Sequence, residues 1–265
     1  MLKPYRPNKI VVSLVAVFTF VPALLMAAGP ASPGEAAKVF DISKLALMPE
    51  HEKPNQQRVA GLSYVAKGSV KAAAEFHKKQ IVGAKFKELP GGYSSDQSVS
   101  AMYGRDGYTL SLVVSEGGEP GKVFVNIVNH GNVELGKLPL PKGAKSIYVG
   151  PTAAIYTAAD SVEKTRATVK EMLTKAGWVP YGGGESARMY RNRGVLLTAM
   201  IDASPAQMGK TSISYNTTLV SVEIPAPPES ENIQYSDNLT QLYLETALSE
   251  EEVVKFYREK LGENG

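Results

Sequence analysis

One element recurs along this chain, and it limits the possible folds more than any other feature. Over 161–178 the order is Ser-Val-Glu-Lys-Thr-Arg-Ala-Thr-Val-Lys-Glu-Met-Leu-Thr-Lys-Ala-Gly-Trp. A serine opening such a stretch can accept a bond from an unpaired early N–H, so it marks a helix start. Val162, Val169, Met172, Leu173 and Ala176 follow at helical spacing, and Gly177 stops the helix before an aromatic residue. The same order runs ungapped through Ser69–Phe86 and Ser249–Gly265. Phe76, Thr168 and Phe256 come into register, as do Ile81, Leu173 and Leu261. Gly177 aligns with Gly265 and with Lys85, and Trp178 with Phe86, while the third copy ends one residue before its expected aromatic.

The flanks repeat as well. Strand-like runs precede each helix at Leu62–Val65, Ala154–Thr157 and Leu242–Glu245, with Tyr64 and Tyr156 in matching places. After the helix, Met102-Tyr103 matches Met189-Tyr190, and turns close at Gly107 and Gly194. Asp106-Gly107 is a strong hairpin signal, and Asn192-Arg193-Gly194 suits a longer turn with the glycine at positive φ. Tyr108, Leu110, Leu112 and Val114 alternate onto one strand face, as do Val195, Leu197, Ala199 and Ile201. Gly121-Lys122 and Gly209-Lys210 then open the last strands, Val123–Val128 and Thr211–Tyr215. Short hairpin links make the sheets antiparallel, each with one face packed on a single helix.

The expected fold class is therefore α+β, built as tandem small ββαββββ domains. The first unit covers 40–134, the second 138–224, and 225–265 is a third copy truncated after its helix. The first unit carries an insertion in the loop Gly91-Gly92-Tyr93-Ser94-Ser95. Joints at Leu138-Pro139-Leu140-Pro141 and Ile224-Pro225-Ala226-Pro227-Pro228 read as short semi-rigid spacers. Tyr64 or Tyr156, Phe86 or Trp178, and the Leu110 or Leu197 row are the core candidates.

Lys3, Arg6 and Lys9 precede an apolar run, Ile10–Met26, and then small residues. That order is a secretory signal over 1–28, or an uncleaved anchor held by 10–26, and it predicts a periplasmic or extracellular protein. Residues 29–39, rich in Ala, Pro and Gly, read as a flexible lead-in. The chain has no cysteine, which excludes disulfides, thiolate chemistry and lipid attachment through a thiol.

Chemical signals are sparse. Gly209-Lys210-Thr211 resembles the end of a phosphate loop, but Ser204 stands where that motif needs glycine and a strand follows. His51, His77 and His130 lack zinc-ligand spacing and read better as surface histidines, His77 at a helix-surface or core-edge position, so no metal or cofactor is expected. Ser94-Ser95 and Ser98-Val99-Ser100 have no nucleophile motif around them. Asn216-Thr217-Thr218 and Asn238-Leu239-Thr240 fit the glycosylation acceptor pattern. Arg188, Tyr190, Arg191 and Arg193 cluster on one predicted hairpin, a candidate contact for an anion or a partner. The whole-chain charge of only +3 argues against nucleic acid as that partner. The charge is uneven: ten basic against five acidic side chains over 138–222, three against nine over 225–265.

With Pro139-Leu140-Pro141-Lys142-Gly143-Ala144 leading two strands and Ala176-Gly177-Trp178 closing the helix, the chain resembles exported bacterial tandem-repeat proteins of unknown function. The first unit departs from that pattern with Lys85-Phe86 in place of Gly-Trp. The resemblance implies the module architecture and export, and carries no catalytic residue across. Tandem modules favour a non-catalytic envelope protein that binds a protein or glycan partner. The alternative is a carrier of a small apolar ligand held between helix and sheet, with a hydrolase third.

Overall fold

The computed structural model describes residues 29–262. The export segment expected over 1–28 lies outside the described residues, as does Gly265, the expected stop of the third helix.

Among the described residues, four α-helices and three antiparallel sheets make up the fold. The first sheet contains β1 (Gln56–Arg58), β2 (Gly61–Lys67), β3 (Lys87–Ser94), β4 (Ser98–Arg105), β5 (Tyr108–Glu116) and β6 (Lys122–Asn129). Its strand order is β1-β2-β6-β5-β4-β3. A short helix, α1 (Pro33–Val39), precedes it, and α2 (Val70–Gly83) carries the chain from β2 to the far edge. From that edge the strands meander back through tight turns until β6 pairs with β2. The Asp106-Gly107 turn has both residues at positive φ, 51° and 83°, which matches the twist of the two strands it joins.

The second sheet contains β7 (Lys145–Val149), β8 (Ala153–Ala158), β9 (Val179–Gly183), β10 (Ala187–Asn192), β11 (Val195–Ser204) and β12 (Lys210–Leu219), with α3 (Val162–Lys175) between β8 and β9. Its order, β7-β8-β12-β11-β10-β9, follows the same path as the first. The last sheet is a hairpin, β13 (Glu231–Ser236) and β14 (Gln241–Glu245), followed by α4 (Glu250–Gly262).

Burial follows the alternation in the strands. Tyr108, Leu110, Leu112 and Val114 are buried, as are Val195, Leu197, Ala199 and Ile201. Tyr64, Tyr156, Phe86 and Trp178 all lie in the core. Ser69 and Ser161 cap their helices through Ala72 N–H and Lys164 N–H. Ser249 forms a reciprocal capping box with Glu252.

α2 and α3 also end alike. Phe86 N–H donates to Ile81 O and Trp178 N–H to Leu173 O, each reaching back over a residue in left-handed conformation. That residue is Gly177 at φ 84° in one case and Lys85 at φ 66° in the other. A β-carbon is strained there, so Lys85→Gly should stabilise the chain by about 1 kcal/mol. A denaturant midpoint that moves down instead would contradict this.

Two features depart from the sequence reading. Residues 33–39, expected as flexible lead-in, form a helix with a capping box between Ser32 and Glu35 and Pro33 in its first turn. Ala31 and Ala36 are buried, and the segment is wedged between the first two sheets. Ala31 N–H donates to Asn132 Oδ1 (2.8 Å), Gly194 N–H donates to Ala31 O (3.1 Å), and Arg193 pairs with Glu35 (2.9 Å). In the turn at 192–194, Arg193 rather than Gly194 carries the positive φ, at 50°. Glycine is needed at 194 for contact, because a β-carbon would sit 2.6 Å from Pro33 Cδ.

A second clasp forms around Asp237. Its carboxylate accepts from Gln56 Nε2 (2.8 Å), Ser221 N–H, Ser221 Oγ (2.7 Å) and Tyr235 Oη (2.8 Å). One side chain therefore ties together β1, the end of the second sheet and the β13–β14 hairpin. β13 lies along the β9 edge, where Ile233 is buried and Tyr181 meets Tyr235 at 6.2 Å between rings. α4 has no buried residue and leaves Val254 and Leu261 exposed.

Candidate functional site

A groove lies between helix and sheet at the same place in the first two sheets. In the first it has a volume of about 920 Å³. One wall is the first two turns of α2, with Lys71, Ala74, Glu75 and Lys78, and the floor includes Ala101, Tyr103 and Leu112. The far wall is the β3 edge with its loop, from Glu88 through Tyr93 to Asp96. The β3–β4 pairing slips between Leu89 and Tyr93. Such a bulge bends an edge strand and lifts it out of regular pairing. Pro90, Gly91 and Gly92 supply the bend, which leaves Tyr93 at 63% exposure. Lys78 and Glu88 span the groove with an ion pair of 2.8 Å. Tyr103 lies buried beneath, and burial raises its phenol pKa.

In the second sheet the corresponding groove has a volume of only about 250 Å³. Its walls include Glu163, Arg166, Lys170 and Arg188, and its floor Tyr190, Ala199 and Ile201. The Arg166 guanidinium crosses it and donates to Ile201 O (3.0 Å), Asp202 Oδ1 (2.7 Å) and Ser186 Oγ (3.3 Å), with Glu185 at 3.4 Å.

The four residues singled out on the second hairpin do not share a surface. Arg188 lines the small groove, and Tyr190 is buried under it with its phenol pKa raised by burial. Arg191, the next residue along β10, lies over the Tyr181 ring at 4.8 Å and donates to Ile224 O (3.2 Å). Arg193 is held by Glu35. Alternation along a strand sends neighbours to opposite faces, so a sequence cluster need not be a spatial one.

Two histidines are corrected: His77 from surface to interior, and His130 from surface to a half-buried place. His77 is fully buried, with Nε2 2.7 Å from Tyr64 Oη. The Tyr64 hydroxyl also accepts from Met48 N–H (3.1 Å), so it joins the helix histidine to the segment before β1. The other ring nitrogen, Nδ1, is buried and has no partner. Burial depresses the His77 pKa to about 4. His130 sits where the first two sheets meet, with Nδ1 2.8 Å from Thr217 O and Nε2 2.9 Å from Ser111 Oγ. Burial lowers its pKa too. His51 is exposed.

Lys210 and Thr211 open β12 as a strand, and Thr211 Oγ1 donates to Asp160 O (2.7 Å). Among the described residues no three His, Asp or Glu side chains are grouped to hold a metal ion. No described helix is long and apolar enough to cross a membrane. Sequence reading missed the groove walls, Arg166 above all, because its acceptors come from β11 and the loop before β10. No family model, curated protein or solved structure matches the chain.

Proposed function

We propose that the chain is a non-catalytic exported binding protein, made of copies of one ββαββββ module. Its binding site is the groove of the first unit, and its ligand is an uncharged glycan segment of the cell envelope. The observation that carries this reading is the groove of about 920 Å³ beside α2, bordered by the projecting Tyr93. That volume is in the range of small-molecule sites. An exposed aromatic face offers a flat apolar surface to the C–H face of a sugar, with its hydroxyl free for hydrogen bonding. Ser94, Ser95, Ser100 and Asp96 add hydroxyl and carboxylate partners for sugar hydroxyls. The groove opens to solvent and carries Lys71, Glu75, Lys78 and Asp96, which favours a polar ligand over an apolar one. Export rests on the order of basic, apolar and small residues over 1–28, and attachment to a membrane would run only through 10–26.

Chitohexaose, cellohexaose and maltohexaose titrated calorimetrically test the reading. At least one should bind, and Tyr93→Ala should weaken it about tenfold or more, equivalent to about 1.4 kcal/mol. Absence of heat with all three, or full affinity in the variant, sinks the glycan assignment.

A further inference from the structure

We infer that Arg166 is a built-in occupant of the second groove, closing it so that ligand binding is confined to the first unit. The confinement rests on the glycan reading above, whereas the closure stands by itself. Arg166 follows the capping Ser161 as Ala74 follows Ser69, so the two residues hold the same place on their helices. Each faces the groove from that place. With alanine there, and with the 88–96 edge and loop as a further wall, the first groove holds about 920 Å³; with arginine there the second holds about 250 Å³.

The acceptors change with the residue. Arg166 is received by Asp202, Glu185, Ser186 Oγ and the carbonyl of Ile201. In the register set by the Met-Tyr pairs, the first sheet has Ser115, Ser98 and Val99 where the second has Asp202, Glu185 and Ser186. Neither carboxylate is present where no arginine is present. Planar guanidinium donors matched to fixed oxygens make a well-held plug, and the Arg166 side chain is only 22% exposed. A ligand entering the second groove would have to displace that set of bonds before gaining any of its own.

Removing the plug should not strand charge in the interior. Asp202 and Glu185 keep 49% and 85% exposure of their side chains, so water can replace the lost donors. The absence of cysteine allows a test that needs no ligand. Ala199, on the groove floor, is 3% exposed, and Ala154, in the core away from the groove, is fully buried. Ala199→Cys and Ala154→Cys each introduce one thiol, whose alkylation by iodoacetamide is followed by intact mass.

Adding Arg166→Ala should speed alkylation at position 199 at least tenfold and leave position 154 unchanged. Equal rates at 199 would overturn the inference. A matching gain at 154 would also overturn it, because the sheet would have loosened rather than the groove opened. The reverse transplant, Ala74→Arg with Ser98→Glu and Ser115→Asp, should slow alkylation of Ala101→Cys in the first groove at least tenfold and abolish hexasaccharide binding. Unslowed alkylation there means that the arginine and its two carboxylates do not suffice as a plug, which refutes the inference. If the unmodified protein binds none of the three sugars, the glycan reading fails while the alkylation rates still judge the closure.

Discussion

Replacing Trp178 by alanine should destabilise the protein by about 3–5 kcal/mol, the range for losing a large aromatic from a packed core. The ring is 4% exposed and belongs to the continuous core that runs through both large sheets. It reaches that place because α3 ends at Gly177, whose positive φ turns the chain and points residue 178 back under the helix. Total stabilities of 5–15 kcal/mol are usual, so this single change would remove a large share. Trp178 is the only tryptophan in the chain. Wild-type emission should therefore be blue-shifted and report the core alone, with urea unfolding of the variant followed by circular dichroism. Solvent-like emission from the native protein, or a loss below about 1 kcal/mol, would refute the placement.

The second large effect concerns acid. His77 has its pKa depressed by burial from the ordinary 6.5 to about 4, so the native state holds the neutral ring. Below pH 6.5 the unfolded chain takes up a proton that the folded chain refuses, and stability falls. The contribution is fully present above pH 6.5 and is lost as pH drops through about 4. Over that window it amounts to about 3 kcal/mol. His77→Val isolates it, because Val169 already fills the matching position on α3 and is fully buried there. In that second sheet the Tyr156 hydroxyl has no partner, whereas Met48 N–H would still donate to Tyr64 in the variant. The difference between wild-type and variant stabilities should change by about 3 kcal/mol between pH 7 and pH 4. A difference that stays flat across this range would mean that His77 is not held neutral by burial.

How far the sequence reached can be judged element by element. The helices beginning after Ser69 and Ser161 and the alternating rows on β5 and β11 were legible, because caps and periodicity act locally. The helix at 33–39 was also written locally, as Ser32-Pro33-Gly34-Glu35, but its Ala, Pro and Gly content masked the capping box. His77 was misread because a histidine on an amphipathic helix suits surface and core alike. Only Tyr64 and Met48, from elsewhere in the chain, decide which. The grooves were illegible for a similar reason. Arg166 meets Glu185 and Asp202 only after β10 and β11 are stacked beside α3, and periodicity gives no such pairing.

The Asp237 clasp has a consequence in time. Its bond to Gln56 joins residues 181 positions apart, and the bond from Ala60 N–H to Ser221 Oγ spans 161. Neither can form until both large sheets exist to bring those ends together, since closing so long a loop costs entropy before any contact repays it. Contacts made after the rate-limiting step leave the rate of assembly untouched and act on the rate of coming apart. The clasp is therefore a latch: it adds little to how quickly the chain finds its fold, and lengthens how long the three segments stay joined once they have found it.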